Sequence, residues 1–598
     1  MNGKWKFYNL NNIVVVTIFF MAIFLRIHYF DTELELFNDE NVYFNAGANL
    51  VEYGTLTNDR DGAINRGEKI AEPSSSIQPG YPLFIALIYK IFGDNQEIVR
   101  LANILISMLS LLFVYKIAKL VDLRYPYIII VLMLATLYPG FNFNTAKILS
   151  EHLFTLLLLG HIYYFVSYLK NEKVKNLIFS TIIISFAIFV RAHGFPLLVM
   201  SILFLFIYQR KDIKKFLNKV ILVISIFILV QLPWWIRNYS QFEKFILFSD
   251  AGDNPKVWGS LPYFIGIFEV DNQTLTELLN SSTRIDSILF YKWRIFGFFQ
   301  YMWADVWDEY LVHPFQGLRP FLMIHLVIIV PTVILLPIII LRCKKEILFL
   351  STIPLLFTIM NLPYHGLPRY VWPSLAIVFV LFGYLMQFIN DKRNKSRELI
   401  NNLETDHNNK IDLLFRRTYF IFSLVFSLIL FYSVYSFSFS IEKEMSDFRL
   451  KKYANIDVED VENMNKNFIE KYDLGSSNVT IENVEEINQK NKFKNIVNDP
   501  TLIRVNNIPI VENNIISKIE IKSKGGYIYD YMTVYWKTNT DLDFSESKVY
   551  RFPTNLFENE QTILVEGDVS DLMIVPVNFR GGTFTFNEII ISKYGENI

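Results

Sequence analysis

Apolar runs long enough to cross a bilayer alternate with short polar connections over the first 440 residues, and this alternation predicts a bundle of membrane helices. A hydrocarbon core of about 30 Å needs about 17 to 25 apolar residues in helical form. Runs of this kind fall near residues 13–30, 99–120, 127–144, 149–169, 177–190, 195–208, 220–235, 321–341, 347–362, 370–389 and 419–439, a set of about eleven spans. The apolar stretch 81–92 is too short to count, carries Lys90 and stops at Gly93, so it is expected to be a re-entrant or interfacial helix. Beyond residue 440 the texture changes. A polar, Asn-rich stretch leads to segments of alternating character at 516–521, 532–536 and 583–591, with turns at Gly525-Gly526 and Gly581-Gly582. A mainly-β, sandwich-like domain from about residue 500 is the expected architecture.

The chain has 598 residues, of which 52% are hydrophobic and 16% aromatic, which makes the bilayer the natural solvent of its first part. A net charge of −1 gives no global field for nucleic acid, so the charges matter by position. Lys4 and Lys6, Lys116 with Arg124, Lys170 with Lys175, Arg210 with Lys219, Arg342 with Lys345, and Lys392 with Arg397 put a basic cluster on every second connection. Basic connections stay inside, which places the N-terminus in the cytoplasm of a multi-pass plasma-membrane protein. The transmembrane part is then 1–440, with outer loops at 31–78 and 238–319, and residues 441–598 lie outside the cytoplasm. The first apolar run contains Arg26 and no small-residue cleavage site follows it, so it reads as a retained anchor. The single cysteine, Cys343, forms no internal disulfide and reads as a surface thiol.

Candidate chemistry gathers in the first outer loop, where Phe37-Asn38-Asp39-Glu40 precedes Tyr43, Ala46 and Leu50 in the pattern of a short amphipathic helix. The plainer reading of Asp39 and Glu40 is a pair of helix-start carboxylates in a favourable dipole. Their setting adds to it: a first membrane helix with Arg26 near its end precedes them, and Pro79-Gly80-Tyr81-Pro82 follows. The series continues in order through Phe92-Gly93, Val99-Arg100-Leu101, Tyr138-Pro139, Ser150-Glu151, Arg191-Ala192-His193-Gly194, the run Pro233-Trp234-Trp235-Ile236-Arg237-Asn238-Tyr239, and Arg369-Tyr370 with Pro373. In this order and sidedness the membrane region resembles the GT-C superfamily of membrane glycosyltransferases, and within it the branch of protein O-mannosyltransferases and aminoarabinose transferases. The loop 238–319 and the C-terminal domain lie outside the resemblance.

The resemblance implies an inverting transferase that moves a sugar from a polyprenyl-phosphate donor to an extracytoplasmic acceptor, which could be protein, glycolipid or cell-envelope glycan. It implies Asp39 as the base that takes the acceptor proton, with Glu40 in support. Phosphate leaves readily and arginine meets its oxygens with paired donors, so Arg191, Arg237 and Arg369 are candidate phosphate ligands, joined by Lys147. Glu151, His193 and His365 complete the expected substrate-binding set. The plainer readings are interfacial snorkelling for the arginines, a helix-start carboxylate for Glu151, and a helical Lys147–Glu151 pair.

His193, His313 and His365 show no metal-ligand spacing, so no metal or other cofactor is expected, although divalent cations serve some relatives of that superfamily. His161, mid-span, is expected to bond a neighbouring helix. The aromatic stretch 291–310, with Trp293, Trp303 and Trp307, predicts a helix lying on the outer leaflet. Tyr535, Trp536, Tyr550 and Phe552 either pack a β core or stack on glycan. Two other classes explain many helices: a transporter or flippase of lipid-linked glycan, and a glycan-binding membrane scaffold. The first predicts internal repeats and mid-membrane charge, which the sequence lacks, and eleven spans exceed what anchoring needs.

Overall fold

The computed structural model describes residues 2–28, 30, 39–57, 73–250, 259, 291–304, 324–341, 343–364, 366–393 and 410–436, and in the C-terminal part 456, 461, 464–473, 476–486, 492–495, 501–525, 530–544, 548–554, 558–576 and 583–595. The chain divides into two compact units. One gathers residues 1–256, 298–308 and 321–434, and the other 257–297, 309–320 and 435–598.

The first unit is helical: α1 (Asn2–His28), α2 (Asp39–Glu52), α3 (Gly80–Phe92), α4 (Gln96–Leu120), α5 (Tyr125–Leu137), α6 (Glu151–Asn171), α7 (Val174–Val190), α8 (Phe195–Gln209), α9 (Ile213–Phe242), α10 (Phe298–Ala304), α11 (Val330–Ile334), α12 (Leu336–Ile340), α13 (Lys345–Asn361), α14 (Pro368–Arg393) and α15 (Lys410–Tyr435). Among the described residues seven helices are long and apolar enough to cross a membrane, or eight with one bent pair, and shorter apolar helices at Gly80–Phe92, Val174–Val190 and His325–Ile334 accompany them. This is a multi-pass membrane protein. Two expected spans are interrupted, and proline is the cause in each. The run 127–144 stops at Leu137, where Pro139 holds Tyr138 extended at φ −66°, ψ 124° and two short 3-10 turns follow. The run 321–341 comes in pieces, with Pro331 and Pro337 each opening a new one.

Polar residues mark helix boundaries. Asn95 caps α4 by accepting from Glu97 and Ile98 N–H, Asp212 caps α9 through Lys215 N–H, and Gly93 ends α3 at φ +83°. Burial separates inner from outer helices: 72% of the apolar window is buried in α6 and in α14, against 22% in α1 and in α9. The inner pair carries Glu151 and Arg369 at its helix starts. Close approach at the end of α7 depends on Gly80, where a Cβ would lie 2.7 Å from the Phe189 carbonyl carbon and the Val190 nitrogen. Mid-span His161 bonds Ser180 of α7 and Ser201 of α8, as expected of a helix-to-helix tie.

At one end of the bundle Asp122 receives Lys170 at 2.8 Å and Lys344 at 3.1 Å, and Arg124 pairs with Asp391. Several of the basic connections thus share one end. Cys343 is buried rather than at the surface, packed beside Arg416, which donates to its carbonyl at 2.8 Å. Trp303 is buried as well and donates to Thr358 Oγ1 at 2.9 Å, so it serves packing rather than a lipid surface, whereas Tyr291 is exposed; Trp307 lies outside the described residues.

The second unit contains eleven described strands. One sheet runs β3 (Val484–Glu486), β4 (Lys492–Asn495), β11 (Thr583–Gly595), β6 (Asn514–Gly525), β9 (Glu558–Glu566), with β1 (Asn465–Tyr472) also on β11. The other runs β2 (Val479–Glu482), β5 (Leu502–Val505), β10 (Val569–Val575), β7 (Asp530–Thr538), β8 (Val549–Thr554). The described strand pairs are antiparallel. β-structure therefore begins at Asn465, ahead of the expected residue 500, because β1 is a largely exposed strand whose polar residues hide the alternation. Trp536 and Tyr550 are fully buried and stacked at 5.3 Å, which settles them as core. Lys593 is also fully buried, paired with Asp568 and donating to Val569 O at 2.9 Å.

Candidate active site

Asp39 is the first residue of α2, and the turn of helix behind it aims backbone N–H groups toward its carboxylate end. From α14, the Arg369 Nη2 donates to Asp39 Oδ2 at 2.5 Å, while Nε of the same guanidinium stands 3.5 Å from Glu151 Oε1. Glu151, first in α6, pairs through that oxygen with Arg191 Nη1 at 2.6 Å. Four helices thus bring their ends to one row of alternating charge, Asp39, Arg369, Glu151, Arg191. Exposure varies along it: the Asp39 side chain is 39% exposed, Arg369 11%, Glu151 1% and Arg191 13%. The row opens to solvent at Asp39 and closes at Glu151.

The residues around the row hold it in place. Glu40 is fully buried, accepts from Ile148 N–H at 2.8 Å, and lies 3.9 Å from Lys147 Nζ. That bond fastens α2 to the segment leading into Glu151, so the position of Asp39 is tied to the position of Glu151. Lys147 ends a 3-10 turn ahead of α6 and meets Glu40, not Glu151 as helical spacing suggested. Ser150 Oγ accepts from Arg191 at 3.0 Å and lies 3.2 Å from Tyr43 Oη. Burial pushes the Tyr43 phenol up to about 12, keeping it neutral, and its oxygen accepts from the Ser150 hydroxyl. Burial pulls the Arg191 pKa down, but Glu151 opposes this and the net shift is upward, so the guanidinium stays charged. The Tyr370 ring lies 5.5 Å from the Arg369 guanidinium and 5.6 Å from that of Arg191, an aromatic wall shared by both cations.

His193 stands beside this wall, its ring 5.7 Å from Tyr370 and its Nε2 3.1 Å from Asn361 Oδ1. Arg237 is elsewhere. It donates to Ser74 O at 2.9 Å and Leu56 O at 3.3 Å, two carbonyls whose segments are joined by the Ser74 N–H to Leu56 O bond, and it packs on Trp234 and Phe242. Expected as a phosphate ligand, Arg237 here clasps the backbone at Leu56 and Ser74 and does not join the charged row. His365 lies outside the described residues. Ser150, Tyr43 and Tyr370 belong to the quoted sequence series but carried no predicted role, and Asn361 gave no sequence signal, because an amide inside an apolar helix reads as packing. Among the described residues no three His, Cys, Asp or Glu side chains gather as they would around a metal ion.

Residues 73–236 match the sequence profile of the dolichyl-phosphate-mannose-protein mannosyltransferase family, a stretch that holds Lys147, Glu151, Arg191 and His193. The match covers less than half of the chain. Asp39 and Arg369 fall outside the matched stretch. Among solved structures, the chain is similar to ArnT from Cupriavidus metallidurans bound to undecaprenyl phosphate, at 12% identity over 69% of this chain and 70% of that one, TM-score 0.39. It is similar also to the oligosaccharyltransferase AglB from Archaeoglobus fulgidus in complex with an inhibitory peptide and dolichol-phosphate, at 14% identity over 75% and 58% of the two chains, TM-score 0.42. For the arabinosyltransferase EmbB from Mycobacterium smegmatis the figures are 9% identity, 98% and 64%, TM-score 0.26. No curated protein sequence matches the chain.

Proposed function

We propose that the protein is an inverting glycosyltransferase that moves one sugar from a polyprenyl-phosphate donor to a hydroxyl on an acceptor outside the cytoplasm. The observation that carries this reading is the row Asp39–Arg369–Glu151–Arg191, with its one well-exposed carboxylate bonded to an arginine. A phosphate entering at Arg369 competes with Asp39 for the same planar donor face. Arg191, held by Glu151 and Ser150, supplies a second guanidinium on the same Tyr370 wall. As the phosphate takes Arg369, the Asp39 carboxylate is released to accept the acceptor hydroxyl's proton while that oxygen attacks the anomeric carbon. The sugar–oxygen bond to phosphate breaks, its electron pair stays on the phosphate, and the two guanidiniums hold the charge. Attack from the face opposite the phosphate inverts the anomeric centre. Glu151, buried and doubly paired with arginine, does not take that proton and instead sets where the cations stand. A phosphate leaving group needs no general acid, which agrees with a row that holds only one solvent-reachable carboxylate.

The test supplies purified protein in lipid with radiolabelled polyprenyl-phosphate sugars and a cell-envelope extract. Transfer by the unmodified chain with a fall of about 100-fold or more in kcat for Asp39→Asn is the expected result. Transfer undiminished in Asp39→Asn removes Asp39 as base, and no transfer from any donor removes the proposal.

A further inference from the structure

His193 sits in the 3-10 turn Ala192–Gly194 between α7 and α8, partly exposed, with Arg191 two residues before it. Its hydrogen-bonding state can be worked out from its partner. Asn361 donates its amide nitrogen to Phe357 O at 2.6 Å, so its oxygen is the atom turned to His193 Nε2 at 3.1 Å. An amide oxygen only accepts, and Nε2 must therefore carry the proton. In the neutral imidazole that leaves Nδ1 as a bare acceptor. Among the described residues no donor meets Nδ1. The ring itself is fixed, by Asn361 on one side and by the Tyr370 ring on the other.

We infer that His193 is a specificity-determining residue whose Nδ1 accepts a hydrogen bond from a hydroxyl of the transferred sugar. This rests on the reading of Arg191 and Arg369 as the phosphate ligands. The ring of Tyr370 touches both guanidiniums and the imidazole, so a sugar one bond from the held phosphate brings its hydroxyls alongside Nδ1. An acceptor atom there favours sugars presenting O–H and disfavours those presenting a carbonyl or carboxylate oxygen at that position.

Two isosteric substitutions separate this role from a structural tie. In His193→Gln the amide nitrogen occupies the Nε2 position and keeps the bond to Asn361, but the Nδ1 acceptor is gone. In His193→Asn the side-chain oxygen occupies the Nδ1 position and the bond to Asn361 is gone. Full-length protein is given a panel of radiolabelled polyprenyl-phosphate hexoses together with their monodeoxy forms. The expected result is that His193→Gln loses about 10-fold in kcat/KM, more than His193→Asn loses. One monodeoxy donor should cost the unmodified chain the same factor and cost His193→Gln nothing further. A larger loss in His193→Asn than in His193→Gln, equal losses in both, or no loss in either overturns the inference while leaving transfer itself standing. Transfer of none of the panel by the unmodified chain removes the underlying reading and this inference with it.

Discussion

At the scale of single residues, two arginines that the sequence made look equivalent have separate tasks. Arg369 divides its guanidinium between Asp39 and Glu151, whereas Arg237 holds backbone carbonyls at Leu56 and Ser74. Arg369→Lys keeps the charge and loses the planar fork, so donor KM should rise and kcat fall together, each by about 10-fold or more. Arg237→Gln should leave donor KM unchanged and lower the thermal midpoint instead, by an amount worth about 1 kcal/mol for the charged bonds lost. Steady-state kinetics with a labelled donor, set beside thermal unfolding in detergent, separates the two; a rise in donor KM for Arg237→Gln would return it to the phosphate site. Much of the row was legible, because carboxylates and arginines at helix ends in a membrane protein are conspicuous. Partnership was not. Lys147 stands four residues before Glu151, and only the 3-10 turn between α5 and α6, which breaks helical spacing, shows that it faces Glu40.

At the scale of elements, apolar length located the helices and proline decided where they break. Hydropathy makes the run 127–144 look like one span, being blind to the missing N–H of Pro139 and the extended Tyr138 before it. That break shapes the site, for the turns it opens carry Lys147 to Glu40 and deliver Glu151 to the head of α6. β1 escaped the sequence for the opposite reason: a mostly exposed strand buries too few side chains to print a period of two. Close approach between elements is a further property that composition does not reveal. Gly80 begins α3 against the last turn of α7, where Phe189 and Val190 present backbone that cannot swing aside. Gly80→Ala should therefore force α3 and α7 apart at a cost of about 1 to 3 kcal/mol. Arg191 follows directly after α7, so the same change should loosen its hold on Glu151. A lowered thermal midpoint in detergent, with weaker transfer per folded molecule, is the expected outcome; an unchanged midpoint would show that the two helices are free to part.

At the scale of the whole molecule, the site's position relative to the bilayer follows from one helix. α6 has 21 residues, so about 30 Å separate Glu151 at its first residue from Lys170 near its last, which is the thickness of a hydrocarbon core. The Asp39–Arg369–Glu151–Arg191 row is therefore at one membrane face, and the Asp122 cluster that receives Lys170 and Lys344 is at the other. On the proposed orientation, in which basic connections stay in the cytoplasm, the Asp122 end is inside and the charged row outside. The assignment is testable because the chain's one cysteine, Cys343, is buried and can be replaced by serine without touching the row. In that background, cysteine placed at exposed Glu52, late in α2, should react with a membrane-impermeant maleimide on intact cells. Cysteine placed at exposed Lys173, just past α6, should react only after the membrane is opened. The reverse pattern would put Asp39 in the cytoplasm, where a donor whose phosphosugar lies at the outer surface could not reach it, and the proposed transfer would have no site in this fold.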